Sequence, residues 1–148
     1  MSVTLYAEDI AVGTEIQLGT MTLSEAEIVE FASQWDPWAA HNDPIAAKAG
    51  PFGSVIASGV HTVGVYQRLL IEAWGHDIAH KAGRGWSVTF RRPVLPGMTI
   101  TGRARMENIV LRPEKRDAML TVRTEMVDLD GNVLFEVVLE TCVMMRPE

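Results

Sequence analysis

The sequence has few of the features that mark secreted, membrane-spanning or nucleic-acid-binding chains. Its single cysteine, Cys142, has no partner for an intrachain disulfide, so a reducing compartment is expected. Cys142 alternates with Glu140 and Met144 in a strand-like segment, which reads as a buried structural thiol. No stretch approaches the roughly 20 apolar residues of a membrane span. Met1 to Asp9 carries neither a basic n-region nor an apolar run, so no signal peptide is expected and the cytoplasm is the expected location. With 13 Lys and Arg against 19 Asp and Glu, the net charge is -6 and no basic stripe forms. That balance excludes nucleic acid as the expected partner, but not a small anionic substrate held by a few arginines. Repeats, low-complexity tracts and linkers are absent too.

What is present is the profile of one folded domain. Hydrophobic residues make up 47% of the 148 positions and charged residues 22%, enough apolar material for a substantial core over residues 1–148. A first helix is expected from about Thr22 to Gln34, opened by a capping box at Thr22 and Glu25. Ile28, Phe31, Ala32 and Trp35 recur on it at helical spacing, and Asp36-Pro37 ends it. Asp43-Pro44 predicts the N-cap and first position of a short helix that Gly50 closes.

A longer helix is expected from Gly59 to Trp74. Val60, Val63, Leu70 and Trp74, with Ile71 beside them, form an apolar stripe; His61, Val65, Arg68 and Glu72 form a more polar one. So apolar a helix should be mostly wrapped by other structure. After Gly85 the period becomes strand-like. Trp86, Val88 and Phe90 alternate with polar residues, as do Ile100, Ala104 and Met106, then Ala118, Leu120, Val122 and Met126. Asp130-Gly131 supplies a hairpin turn to a return strand through Val133, Phe135, Val137 and Leu139, and a weaker strand covers Thr14 to Thr20. The predicted class is α+β: a long antiparallel sheet curled around one apolar helix, a hot-dog architecture.

The chemistry concentrates between Phe31 and Leu70. Asp36 and His41 stand five residues apart across a helix-breaking loop, so the loop itself must bring carboxylate and imidazole together if they share one water. Ala57-Ser58-Gly59 runs straight into the long helix, whose first unpaired N–H groups can face a ligand. Gly59 lets a ligand oxygen approach the backbone closely.

These motifs resemble those of the MaoC-like dehydratases and (R)-specific enoyl-CoA hydratases of the hot-dog superfamily. The resemblance runs through Phe31-Ala32, Asp36-Pro37, His41, Asp43-Pro44, Ala46-Ala47, Pro51-Phe52-Gly53, Ile56 to Gly59, His61-Thr62 and Arg68-Leu69. It resumes at Arg92-Pro93-Val94 and Pro96-Gly97. It implies that Asp36 and His41 hold the catalytic water and that the Gly59 N–H forms an oxyanion hole. The implied reaction is syn addition of water to a trans-2-enoyl-CoA, or its reverse, in a homodimer with a continuous sheet and no metal or redox cofactor.

Where the family commonly has Asn or Gln two residues after the Asp and then Pro, this chain has Trp38 and Ala39. Gln67 stands where some hydratases carry a small hydroxyl residue, and Met98 where Asp often follows Pro-Gly. Trp38, Ser58, Gln67 and Arg92 are the candidate substrate-binding residues. Trp38 is a candidate acyl-pocket wall, Gln67 a polar pocket residue or one bonded to nearby backbone, and Arg92, with Arg91, a strand-end group for a CoA phosphate. His76, Asp77 and His80 have metal-compatible spacing, but a loop at a helix end is the blander account. A hot-dog thioesterase and a non-catalytic acyl-CoA-binding protein are the competing functions.

Overall fold

A computed structural model describes residues 3–148, so the first two positions of the expected 1–148 domain lie outside the described residues. In chain order the elements are β1 (Glu15–Gln17), β2 (Met21–Thr22), α1 (Glu25–Trp35), α2 (Ala39–Asn42), α3 (Pro44–Lys48) and α4 (Gly59–Ala73). Four long strands follow: β3 (His80–Phe90), β4 (Thr99–Arg112), β5 (Asp117–Val127) and β6 (Val133–Met144). The strands form one antiparallel sheet in the order β1-β4-β5-β6-β3, with β2 also on β4. One face carries Ile100, Ala104, Met106, Leu120, Val122, Met126 and Val137. Against it α4 sets Val65, Tyr66, Leu69 and Leu70, all buried in one core. That is the expected sheet-and-helix arrangement of a hot-dog fold. Among the described residues no helix is long and apolar enough to cross a membrane.

The period-2 alternation placed the inward residues of β4 and β5 correctly, and those of β6 from Phe135 onward, because each of these strands has one face on the core and one in solvent. Val133 instead pairs with Val127 before a register shift, and Leu134 is buried. The β5–β6 hairpin turns at Gly131, which has φ +83°, while Asp128 Oδ1 accepts from the N–H groups of Asp130 and Asn132. At the opposite end Asp117 is fully buried and takes Arg112 and Lys81 as partners. Arg112 first, then Lys81, holds its carboxyl below the usual aspartate range. Arg112 also donates to the buried Cys142 thiol, so one carboxylate ties β3, β4 and β5 together beside β6.

Several expectations need correction. The α1 capping box is built on Ser24 and Glu27, with Ser24 Oγ accepting from Glu27 N–H and Glu27 accepting from Ser24 N–H. Thr22 belongs instead to β2, where its hydroxyl meets that of Thr99. Ile28 and Ala32 are buried, but Trp35 at the helix end is 69% exposed. The weak strand of residues 14–20 is split into β1 and the two-residue β2. β3 begins at His80, five residues earlier than Gly85, and passes two register shifts before its pairing becomes regular. As the sheet edge it leaves Trp86 and Phe90 more than half exposed, although both lie on the core-facing side opposite Leu139 and Phe135.

The stripes of α4 also differ. Val65, assigned to the polar stripe, is buried with Thr62, Tyr66, Leu69 and Leu70, whereas Val60 and Ile71 are exposed. The helix is therefore wrapped on one side only, and the expected stripe lies on its flank.

The two overlapping capping patterns can be separated by mutation. Ser24→Ala is expected to lower stability by about 1 kcal/mol, and Thr22→Ala by clearly less, in urea denaturation. The opposite order contradicts the assigned helix start.

Candidate active site

The site is assembled where α1 ends, α2 turns and α4 begins. Asp36 is the C-cap of α1: its N–H still donates to Ala32 O, but its φ of -155° leaves the helical region, as the following Pro37 requires. Trp38 then caps α2, a single turn in which the Trp38 carbonyl accepts from His41 and Asn42. His41 thus sits on a helical turn, not in the loop expected for it. Four residues are too few to show a helical period. Asp43 caps α3 as its Asp-Pro sequence predicts, accepting from the N–H groups of Ile45 and Ala46.

Three successive residues between α3 and α4 fix the reactive groups. Ile56 N–H donates to Ala40 O at 3.0 Å, and the Ile56 carbonyl accepts from His41 Nδ1 at 2.7 Å. A carbonyl cannot donate, so Nδ1 carries a proton and Nε2 faces the other way. Ala57 N–H donates to Val94 O at 2.9 Å and anchors the segment to the loop after β3. Ser58 is completely buried. Its hydroxyl donates to Asp36 Oδ2 at 2.7 Å and accepts from Val60 N–H at 3.2 Å as the N-cap of α4.

His41 Nε2 consequently lies 3.7 Å from Asp36 Oδ2, too far for a direct hydrogen bond and close enough for both to contact one small molecule. Both groups keep partial access to solvent. Gly59 N–H has no acceptor among the described residues, since the Ser58 cap serves Val60. It stands at the positive end of the α4 dipole, where an oxyanion is stabilised. The φ of Gly59 is not positive. Its lack of a side chain matters because an added Cβ would lie 2.6 Å from the Phe90 ring.

A cavity of about 380 Å3 joins His41, Gly59 and Arg92, with Phe52, Phe90 and Phe135 among its walls. Of the candidate residues, then, Asp36, His41, Ser58 and Gly59 are brought together and Arg92 reaches the same cavity. Trp38 is 73% exposed and does not line it. Gln67 lines a second cavity, farther along α4. Arg91 pairs with Glu136. His80 Nε2 bonds to Thr141 Oγ1 within β3 and β6, and His76 sits in a short turn after α4. His61 stacks on Phe31 with ring centres 4.3 Å apart, and burial holds its pKa below the ordinary histidine value against the opposing charge of Glu27.

Two participants escaped the sequence reading. Ile56 acts through its backbone carbonyl, which leaves no trace in residue identity. Phe90 stands over Gly59 from a strand end, and its alternation with Trp86 and Val88 signalled only a core-facing position.

The chain matches the MaoC like domain family over residues 9–128. It is 33% identical over 92 residues to the uncharacterized protein YdeM of Bacillus subtilis (strain 168), an alignment covering 60% of this chain and 64% of YdeM, just under two thirds of that protein. Among solved structures it is similar to the MaoC-like dehydratase from Rhodospirillum rubrum, with 27% identity, a TM-score of 0.87 and coverage of 97% of this chain and 99% of that one. It is also similar to an (R)-hydratase from A. caviae involved in PHA biosynthesis, with 25% identity, a TM-score of 0.70 and coverage of 94% and 99%. By its family match over residues 9–128 and its fold, the chain belongs to the MaoC-like family.

Proposed function

We propose that this chain catalyses reversible syn hydration of a trans-2-enoyl-CoA to an (R)-3-hydroxyacyl-CoA. The observation that carries the reading is the 3.7 Å separation of Asp36 Oδ2 and His41 Nε2 beside the cavity that Gly59 shares. With its proton on Nδ1, a neutral His41 presents an acceptor at Nε2, and Asp36 presents another. One water can donate to both and keep a lone pair for attack. The dehydratase and (R)-hydratase relatives support the same chemistry.

In this route the water oxygen bonds to C3 while Asp36 removes one of its protons, with His41 orienting the water. The electrons of the C2–C3 double bond move toward the thioester oxygen, where Gly59 N–H and the α4 N-terminus hold the developing charge. C2 then takes the proton back on the same face, so one water is added and no group is released. Nothing in the sequence of steps calls for a metal or a redox cofactor. Arg92 at the cavity is the candidate contact for a CoA phosphate.

The outer edge of β3, unpaired among the described residues and with Trp86 and Phe90 exposed beside it, is suited to pairing with a second copy, and a homodimer with continuous sheet is part of this reading.

The reading is tested with a panel of trans-2-enoyl-CoAs from C4 to C16, following enoyl absorbance and thiol release together. Loss of enoyl absorbance without thiol is expected. Thiol release indicates a thioesterase, and binding without turnover at any chain length a non-catalytic protein. Asp36→Asn and His41→Ala should each lower kcat about a hundredfold or more with circular dichroism unchanged; near-normal turnover in either folded variant removes it from catalysis.

Gly59→Ala should lower kcat/KM about tenfold or more by driving the Phe90 ring into the space the thioester needs. Adding Phe90→Ala to that variant should then recover part of the loss. Full activity in Gly59→Ala alone places the oxyanion elsewhere.

A further inference from the structure

His61 stands in the first turn of α4, two residues after Gly59. Its ring lies nearly parallel to that of Phe31, with 4.3 Å between centres and 12° between planes. Phe31 belongs to α1, five residues before the Asp36 that caps its C-terminal end. Ser58 makes a second tie between the same two elements through its 2.7 Å hydrogen bond to Asp36 Oδ2. Both contacts therefore join the helix that ends on the carboxylate to the turn that begins at Gly59.

The His61 ring acts through its face. Its Nδ1 is buried and has no hydrogen-bond partner among the described residues. Burial, against the opposing charge of Glu27, lowers its pKa and leaves the ring uncharged at neutral pH. His61 is also not among the residues lining the cavity that His41 and Gly59 share. Its stack on Phe31 is the contact through which it can influence the site.

The two elements it joins are each fixed internally. Asp36 N–H donates to Ala32 O at 2.9 Å, so the carboxylate follows α1 wherever that helix lies. In α4, Ser58 Oγ accepts from Val60 N–H, Thr62 N–H donates to Ser58 O at 3.0 Å, and Thr62 Oγ1 donates to Gly59 O at 2.9 Å. That first turn holds its shape without help from the His61 ring. His41 is held separately, by the Ile56 carbonyl. A change in the spacing of α1 from α4 would thus shift Asp36 against His41 and Gly59 while leaving each element formed.

We propose that His61 is a positioning residue: its flat stack on Phe31 sets the spacing of α1 from the first turn of α4 and so places Asp36 against His41 and Gly59. Its effect on the reaction rests on the hydratase reading; its effect on the position of Asp36 does not. Reacting groups need to be held to within about 0.5 Å of their productive geometry, and displacements of that order are costly in rate.

Crystal structures of the unmodified protein, His61→Ala and His61→Phe, with trans-2-enoyl-CoA kinetics on each, test this. In His61→Ala the 3.7 Å separation of Asp36 Oδ2 and His41 Nε2 is expected to change by about 0.5 Å or more. Its kcat is expected to fall about tenfold or more, with KM held within about twofold because the first turn of α4 stays formed. His61→Phe keeps a flat ring against Phe31 and is expected to restore both the separation and kcat. An unchanged separation in His61→Ala overturns the proposal, as does a loss confined to KM. A His61→Phe as impaired as His61→Ala overturns it too, by assigning the role to the imidazole nitrogens. Should His61→Ala fail to fold, His61→Leu, which fills the space without a flat ring, is read in its place. A displaced Asp36 with no hydration by any of the proteins upholds the role of His61 and removes the hydratase reading; hydration at equal rates by all of them with Asp36 unmoved does the reverse.

Discussion

The three-residue link Ile56-Ala57-Ser58 is the constraint on which the site depends. Its hydrogen bonds run in three directions: from the Ile56 carbonyl to His41, from the Ala57 N–H to Val94, and from the Ser58 hydroxyl to Asp36. The first sets which imidazole nitrogen carries a proton, the second ties the link to the end of the sheet, and the third orients the carboxylate. Since Ser58 also caps α4, the same hydroxyl that places Asp36 fixes the start of the helix whose first residue, Gly59, lines the cavity. Asp36, His41 and the start of α4 at Gly59 are thereby referred to one short, largely buried segment. Its register against α1 and α2 matters more to the chemistry than any single contact within the sheet.

The surroundings of α4 explain why the site is open on one side. Its buried face, Thr62, Val65, Tyr66, Leu69 and Leu70, is committed to the sheet core. The adjacent flank lies beside β3, the edge of the sheet among the described residues, whose Trp86 and Phe90 stay more than half exposed. Edge position supplies both the space for a ligand and the unpaired backbone that a second copy can use.

The alternation in β4, β5 and β6 and the Asp43-Pro44 cap were legible because each reports a local rule: one buried face in a strand, one proline-compatible first turn in a helix. The spacing of Asp36, His41 and Gly59 was legible as a family resemblance, and the fold brings these three residues to one place. What the residues could not decide were choices between locally equivalent patterns. Thr22-x-x-Glu25 and Ser24-x-x-Glu27 both satisfy the capping rule, and only the pairing of Thr22 with Thr99 separates them. The apolar stripe of α4 was rotated toward its β3 flank because Val60 and Ile71 are as apolar as the buried residues. Trp35 shows the same limit, since helical spacing identifies a face without saying what stands opposite it. The early start of β3 was hidden by Gly83 and Gly85, which weaken a strand signal while accompanying its irregular pairing. Contacts made by backbone atoms, such as Ile56 with His41, have no side-chain signature.

The central claim is that Asp36 and His41 direct one water to C3 of an intact thioester. Turning over trans-2-enoyl-CoA in isotopically labelled water, with mass spectrometry of the product, tests it most directly. The account predicts one labelled oxygen in the 3-hydroxyl group of a product still bound to CoA. Label in a free carboxylate, with CoA released, would show that the water attacks the carbonyl and would contradict it.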